Sequence, residues 1–240
     1  SDDVGRGETK EAVAFVRLSR DWVRETGVRF LDGQGICHVV LPESGQLQPG
    51  MFAVGGDSHS PTGGAMGAFM FGIGATEMAG VVATGEIWVK VPETIMIEWT
   101  GRLCDGLMAK DIMLALCGQL GMDGGKYQAV EYTGEAIKWL SMQERMTLAN
   151  MTAELGGQTG LIAPDGVTTE FLRSVGSDTS DISCLYSDEH APVLEHHFFD
   201  ATSLAPQVAA PHSPANAMPA FEAENKSIDV AYVGACTGAK

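Results

Sequence analysis

The sequence predicts an α/β fold in which the sheets are mostly parallel. Apolar stretches of strand length alternate with stretches of helical periodicity, and this alternation is typical of parallel sheets covered by helices. Two of the apolar stretches run into glycine-rich segments, and ligands of such folds bind at the carboxyl ends of parallel strands. The chain has 240 residues, of which 45% are hydrophobic, so it can bury one large core or two smaller ones.

Four helical regions are expected. Apolar residues share one stripe of a helix over residues 10–26, which Gly27 terminates. A buried helical region is expected over 65–82, where small residues are frequent and glycines introduce a break. The remaining two helices are expected at 109–120 and 147–155.

Strands are expected where apolar and β-branched residues cluster between glycine, proline or polar residues. They are predicted at residues 35–41, 51–54, 92–99, 129–132, 160–163 and 228–233. The segment 177–225 is polar and proline-rich and is predicted to form loops and a connection. The domains expected from this pattern are 1–90, 91–205 and 206–240.

Charge and cysteine content limit the function classes. The formal net charge of −16 at pH 7 opposes binding to nucleic acid, because such binding needs lysines and arginines that neutralise phosphates. An anionic substrate must therefore be held by local cations, helix ends or a metal. Five widely spaced cysteines do not form a disulfide framework, and no apolar run or signal pattern indicates a membrane or secreted protein. A cytoplasmic location is expected.

The glycine-rich loop after the predicted strand at 51–54 carries the first candidate site. Asp57 and His59 flank Ser58, so an extended backbone points their side chains the same way and presents an acid–base pair. The neighbouring glycines let a ligand approach main-chain N–H groups. The alternative is structural, with Asp57 capping the following helix and His59 filling a turn.

The other candidate residues also have structural interpretations. Asn150 and Glu154 lie four residues apart on a predicted helix and share one face, which is more often an ordinary solvated face. Cys236 follows the last predicted strand, where a thiolate could bind a metal, although an unpaired buried cysteine is commoner. Cys37 is interpreted as core, since it and His38 face opposite sides of a strand. The other histidines are interpreted as surface residues: His190, His196, His197 and His212.

Several blocks in a defined order carry a family resemblance. They are Gly35-Ile36-Cys37-His38, Gly56-Asp57-Ser58-His59-Ser60-Pro61-Thr62-Gly63-Gly64, 83–93, 146–157, 160–165 and Val233-Gly234-Ala235-Cys236-Thr237-Gly238. In this order they resemble the aconitase superfamily over most of the chain. Within that superfamily they resemble the branch of 3-isopropylmalate dehydratase large subunits and homoaconitase-like proteins. The resemblance implies aconitase-like three-layer α/β/α units.

The resemblance also implies an active site. It pairs Asp57 with His38 and His59 with Glu154, as catalytic residues that hold each histidine in a fixed protonation state beside a departing hydroxyl. A [4Fe–4S] cluster bound by three cysteines would hold the substrate. Cys236 would be the first of these thiolates.

The implied function is a hydro-lyase that isomerises a small 2-hydroxy di- or tricarboxylic acid. Ser58 and Asn150 are expected to contact substrate or a neighbouring ligand. The catalytic serine of this family comes from a swivelling domain, which in the isopropylmalate type is a separate small subunit, so a protein partner is expected. Neither nucleic acid nor a membrane is expected as a partner.

The sequence departs from the family pattern in ways that leave alternatives open. It contains no Cys-x-x-Cys pair to complete the cluster, and Thr237-Gly238 stands where the family has Thr-Asn. We expect that Ser1 and Lys240 mark cuts in a longer chain that carries the missing cysteines. The alternatives are a degenerate, cluster-free member that acts as a binding protein, and a hydrolase with one metal ion on His38, Asp57 and His59.

Overall fold

A computed structural model describes residues 9–177, 182, 185–223, 227–234 and 237. The helices are α1 Lys10–Thr26, α2 Cys37–Glu43, α3 Ala75–Thr84, α4 Ala109–Leu120, α5 Glu135–Lys138, α6 Met142–Asn150 and α7 Gly166–Ser174. The strands are β1 Phe52–Gly55, β2 Phe69–Gly72, β3 Thr94–Thr100, β4 Ala129–Thr133, β5 Thr159–Leu161, β6 Glu195–Asp200, β7 Gln207–Ala209 and β8 Ala217–Pro219. The α/β class and the mostly parallel pairing agree with the prediction. Among these helices none is long and apolar enough to cross a bilayer.

Contacts between residues divide the chain into two compact units, Ser1–Ile36 and Cys37–Lys240. The described part of the first unit is dominated by α1, which has the predicted bounds. Thr9 caps its amino end, because the Thr9 hydroxyl accepts a hydrogen bond from the Ala12 N–H at 3.2 Å. Gly27 ends it in the left-handed conformation at φ 70°. The domain boundaries expected near residues 90 and 205 stay predictions.

The larger sheet of the second unit has four parallel strands in the order β5-β4-β3-β6. Alternate side chains of β3 and β4 point to one face, as a strand period of two requires. On that face they pack against α4, α5 and α6 in a single core. Its largest fully buried members are Trp99, Tyr132, Ile95, Ile97, Ile112, Met113, Leu116, Leu148 and Leu155.

A smaller parallel pair, β1 and β2, positions the glycine-rich loop. Phe52 of β1 stacks on Phe69 of β2 with ring centroids 5.8 Å apart, in register with the backbone pairing. The chain between the two strands forms a buried 3-10 helix, Ser60–Met66. Ala65 and Met66 of this helix join Met142 and Ala149 of α6 in a second core. The loop that precedes the 3-10 helix is therefore fixed against α6.

Two sequence predictions near the loop are wrong. Residues 35–41 were expected as a strand, but α2 begins at Cys37. A short apolar run does not distinguish a strand from a buried helix, and the two buried residues of α2, His38 and Pro42, lie one helical turn apart. The region 65–82 was expected as a buried helix with a glycine break, but Gly67 at φ 78° ends the 3-10 helix and β2 follows. Only the part after the break is an α-helix, α3, and none of its residues is buried.

The carboxyl-terminal third differs from the expected loops. Strand β6 adds to the main sheet beside β3, and β7 and β8 form a short antiparallel pair. All three lie in the segment 177–225, whose polar composition concealed them. The strand expected at 228–233 is also wrong, since residues 227–234 have no strand conformation.

Arg145 and Asp165 form an ion pair in the second unit, in which the arginine side chain is fully buried. The Arg145 side chain is 0% exposed, and its two terminal nitrogens each donate to an Asp165 carboxylate oxygen at 2.7 Å. The Arg145 Nε donates to the Leu140 carbonyl at 3.2 Å, so the guanidinium is anchored on several sides. Asp165 also caps α7 by accepting from the Val167 N–H at 2.9 Å. Burial alone would raise the pKa of Asp165, but the hydrogen bonds and charge of Arg145, with the α7 N–H groups, hold it below its ordinary value.

The lowered pKa of Asp165 predicts a pH dependence of stability. A carboxyl with a lowered folded-state pKa stabilises the protein above its unfolded pKa of about 3.9. That contribution is lost as pH falls below about 3.9 through the folded-state pKa. We therefore expect the difference in urea midpoint between the wild type and Asp165→Asn to be constant from pH 7 to about pH 5 and to shrink below about pH 4. A difference that persists unchanged at about pH 2 would contradict this account of the pair.

Candidate active site

The loop after β1 turns tightly around Asp57. The Asp57 Oδ1 accepts a hydrogen bond from the His59 N–H at 2.8 Å, and the Asp57 carbonyl accepts from the Ser60 hydroxyl at 2.7 Å. Such side-chain-to-backbone bonds are the reason aspartate and serine favour turns. The turn places the Asp57 and His59 side chains beside each other, with the His59 Nδ1 3.5 Å from Asp57 Oδ1.

The first histidine–carboxylate pair joins α2 to this loop. The His38 Nε2 lies 3.0 Å from Asp57 Oδ1. The His38 side chain is 7% exposed, whereas that of Asp57 is 52% exposed, so one partner is buried and the other is open to solvent. The pKa of Asp57 is lowered, first by the hydrogen bond from the His59 N–H and, against the opposing effect of burial, by His38. Asp57 is therefore ionised at neutral pH.

The second pair joins the loop to the turns after α6. The His59 Nε2 lies 2.9 Å from Glu154 Oε1, although the two residues are 95 positions apart in the chain. Their side chains are 24% and 25% exposed. The rings of His38 and His59 have centroids 6.0 Å apart, so both pairs face one small region. The two pairings implied by the family resemblance are present, while the catalytic roles of these residues stay predictions.

The predicted helix around Glu154 needs correction. Helix α6 ends at Asn150, four residues earlier than Glu154, and residues 151–156 form hydrogen-bonded turns. The Glu154 N–H donates to the Met151 carbonyl at 3.1 Å within these turns. Glu154 therefore does not share a helix face with Asn150. Among the described residues, the buried Glu154 Oε2 has no hydrogen-bond partner.

Asn150 lies behind the loop and is 1% exposed. Its Nδ2 donates to the Thr62 hydroxyl at 2.9 Å, and that hydroxyl donates to the His59 carbonyl at 2.7 Å. The Asn150 Oδ1 accepts from the Thr237 hydroxyl. Asn150 thus connects the loop to the carboxyl-terminal segment. Thr62 was not singled out from the sequence, and its only signal there was its place in the block that follows His59.

A close contact between two glycines brings the loop and β5 together. A Cβ built on Gly64 would lie 1.7 Å from the Gly160 carbonyl oxygen. Backbone does not move aside as a flexible side chain does, so any larger residue at position 64 forces the 3-10 helix away from β5. The contact sets the distance between the 3-10 helix, which follows His59, and β5, which follows Glu154.

We expect Gly64→Ala to lower the free energy of unfolding by about 1–3 kcal/mol or more and to weaken the His59–Glu154 pair. Gly80→Ala is the matched control, because a Cβ on Gly80 in α3 meets nothing within 4 Å. That control should be neutral or stabilising by up to about 1 kcal/mol, since alanine is the better helix former. Urea unfolding of both variants measures the effect, and equal midpoints would contradict it.

The other predicted positions have mixed outcomes. The Ser58 hydroxyl lies 3.1 Å from His59 Nδ1, within the same site. Cys37 is exposed and not part of the core, with its Sγ 3.6 Å from His38 Nδ1, so the interpretation of Cys37 is wrong.

Cys236, the expected cluster ligand, lies outside the described residues. Of the histidines expected at the surface, His196 and His197 of β6 are partly exposed and pair with Glu98 and Glu195.

Comparison with known proteins decides the family. The model of the aconitase family (aconitate hydratase) matches residues 6–231. The chain belongs to the aconitase family. The matched region contains both histidine–carboxylate pairs and ends before Cys236.

The aconitase-family relatives have related names. The chain is 42% identical over 236 residues to the 3-isopropylmalate dehydratase large subunit 1 of Methanopyrus kandleri, covering 97% of this chain and 56% of the relative. It is 42% identical over 241 residues to a probable methanogen homoaconitase large subunit of Methanosarcina mazei, covering 100% and 61%. It is 40% identical over 226 residues to the 3-isopropylmalate dehydratase large subunit of Aquifex aeolicus, covering 93% and 52%. The chain spans about half the length of the curated relatives it matches.

The described cysteines do not form an aconitase-family cluster site. Cys37 lies on α2, Cys104 in the loop between β3 and α4, and Cys117 on α4, and no three cysteines come together in the described part of the chain. Burial, and then the charge of Glu154, raises the pKa of the Cys117 thiol to about 11, so Cys117 is protonated and a poor metal ligand.

Proposed function

We propose that this chain is part of the large subunit of a hydro-lyase that acts on a small 2-hydroxy di- or tricarboxylic acid of the 3-isopropylmalate type. The observation that supports the proposal most is the pair of histidine–carboxylate contacts, His38–Asp57 and His59–Glu154, facing one region. Removal of a hydroxyl group needs a proton donor for the leaving oxygen and an acceptor when water returns. Two imidazoles held by carboxylates supply such groups.

The carboxylates set the protonation of each ring. In this proposal the Glu154 Oε1 accepts from the His59 Nε2–H, which leaves the His59 Nδ1 as the nitrogen that gains or loses a proton on the site side. Ser58 lies within hydrogen-bond distance of this Nδ1 and orients it. In this proposal His59 protonates the departing hydroxyl, and Glu154 stabilises the imidazolium before transfer.

The first pair has a different exposure and a different role in the proposal. His38 is buried and held by the ionised Asp57, whose own side chain is half exposed. Asp57 therefore fixes the tautomer and orientation of the His38 ring beside the substrate. Local polar groups must hold the substrate because the whole chain has a net charge of −16 and repels anions.

The remaining parts of the proposal rest on the family alone. A [4Fe–4S] cluster would act as the Lewis acid, with Cys236 as one ligand and two further thiolates from outside these 240 residues. A small subunit would supply the swivelling domain, in keeping with the words "large subunit" in the relatives' names. Contact of Ser58 and Asn150 with substrate is likewise proposed.

A direct assay tests the proposed function. The complete large subunit is reconstituted anaerobically with iron and sulfide, mixed with its small subunit and given 3-isopropylmalate. The expected result is an enoic acid, measured by its ultraviolet absorption, together with a brown sulfide-containing chromophore. A colourless protein that produces no enoic acid from 3-isopropylmalate or from other 2-hydroxy acids would contradict the proposal.

A further inference from the structure

Three side chains of the site could serve as metal ligands without rearrangement of the backbone. One donor atom from each of His38, Asp57 and His59 lies within 4.8 Å of the other two. No other group of three histidines, cysteines or acids in the described residues meets this spacing. Two imidazoles and one carboxylate form a donor set that suits divalent transition metals.

The distances between the donors are close to those of a metal site. Ligand atoms about 2.0–2.1 Å from a tetrahedral zinc ion lie roughly 3.3–3.5 Å apart. The His38 Nε2 is 3.0 Å from Asp57 Oδ1, and the His59 Nδ1 is 3.5 Å from the same oxygen. Binding therefore requires only that the two imidazole nitrogens approach each other around a shared carboxylate.

Glu154 completes the arrangement from outside the donor set. Metal-bound histidines usually donate their other ring N–H to a carboxylate, which fixes the ring and makes the binding nitrogen more basic. The His59 Nε2 already has this partner in Glu154 Oε1 at 2.9 Å, which leaves Nδ1 to face Asp57 and His38.

We propose that His38, Asp57 and His59 bind one divalent transition-metal ion of the zinc class, with Glu154 orienting His59 from behind. The ion replaces the proton shared by His38 and Asp57 and any proton on the His59 Nδ1, so the metal-bound and proton-carrying forms of these groups exclude each other, while the contact between the His59 Nε2 and Glu154 stays. The binding of the metal ion does not rest on the proposed function. If the proposed function is correct, the bound ion also occupies the acid–base groups and zinc inhibits turnover, and this consequence does rest on the proposed function.

Cobalt is the most informative probe of the ligand set. We expect the full chain to bind one equivalent of Co²⁺ with visible bands and without the near-ultraviolet charge-transfer band that thiolate ligands produce. Paramagnetic Co²⁺ should shift or broaden the ring signals of His38 and His59 in NMR spectra while those of His196 and His197 stay unchanged. A strong thiolate band, or effects confined to His196 and His197, would overturn the proposal.

Variants separate ligands from the orienting carboxylate. Asp57→Asn keeps the shape of a half-exposed side chain, and it should weaken Zn²⁺ binding more than about tenfold in isothermal titration calorimetry. Glu154→Gln should weaken it about 10- to 100-fold, the usual effect of losing an outer carboxylate. Glu98→Gln is the matched control, because Glu98 pairs with His196 at 3.0 Å in the same unit, and it should leave the affinity within about twofold.

The outcomes distinguish this inference from the proposed function. Circular dichroism melts check that each variant is folded, and the NMR measurement needs no variant. Unchanged Zn²⁺ affinity in folded Asp57→Asn would overturn the metal site, whatever the assembled enzyme does with 3-isopropylmalate. Conversely, a chain that binds Zn²⁺ through these residues but forms no enoic acid retains the metal site and loses the hydro-lyase proposal.

Discussion

Asp57→Asn is expected to lower kcat of the assembled enzyme by about 100- to 10,000-fold, the range that a positioned acid–base group contributes. The asparagine is nearly isosteric but uncharged, so it no longer gives the buried His38 a charged hydrogen-bond acceptor that fixes its tautomer. In addition, only the oxygen of the asparagine amide can accept the hydrogen bond from the His59 N–H, whereas either oxygen of the aspartate can do so. Steady-state kinetics with 3-isopropylmalate measure the loss.

The control for this prediction is Glu98→Gln. Glu98 also pairs with a histidine, His196, at 3.0 Å, but this pair lies on β3 and β6 and not at the loop. The control should retain kcat within about twofold, because exposed pairs contribute little. An Asp57→Asn enzyme with wild-type kcat, or a Glu98→Gln enzyme that is equally slow, would show that the His38–Asp57 pair is structural.

Asp165→Asn is expected to lower the free energy of unfolding by about 3–5 kcal/mol at pH 7. The variant leaves the guanidinium of Arg145 charged and 0% exposed, without the carboxylate that offsets its burial. Arg145→Met should cost less, because it removes the buried charge and leaves Asp165, which is 37% exposed, to be hydrated. Urea unfolding of both variants gives the comparison.

A surface pair provides the reference for this difference. Arg20 and Asp32 lie 2.8 Å apart with side chains 44% and 45% exposed, so Asp32→Asn should change the free energy of unfolding by less than about 1 kcal/mol. An Arg145→Met variant that is less stable than Asp165→Asn would show that packing of the arginine stem matters more than its charge.

The sequence predicted best those elements whose ends carry clear local signals. Helix α4 has the predicted bounds, 109–120, and Gly121 follows it directly. Helix α1 likewise ends at a glycine in the left-handed conformation. Local chemistry fixes such ends, so no knowledge of the rest of the chain is needed.

The elements that were mispredicted depend on distant parts of the chain. Residues 37–43 carry β-branched residues that favour a strand, yet burial of His38 and Pro42 on one side makes the segment helical. Strand β6 carries charged and histidine side chains and is a strand because β3 offers its backbone an edge to pair with. A short window of sequence shows neither which side of a segment becomes buried nor which strand the segment pairs with.

The candidate site shows the same division. The Asp57–His59 pair was expected from local residue types in an extended segment, but the structure brings the two side chains together in a turn instead. The partner of His59 is 95 residues away, and only the family resemblance indicated that Glu154 pairs with His59 before the structure did. Thr62 and the Arg145–Asp165 pair were not predicted, since hydrogen bonds across the fold leave no pattern in sequence spacing.

The most direct test of the acid–base assignment is a double-mutant cycle on kcat of the assembled enzyme, with His59→Gln, Glu154→Gln and the double variant. If Glu154 acts only through His59, each single variant should be at least about 100-fold slower and the double variant no slower than His59→Gln alone. Losses that multiply in the double variant, or a single variant with wild-type kcat, would contradict the assignment.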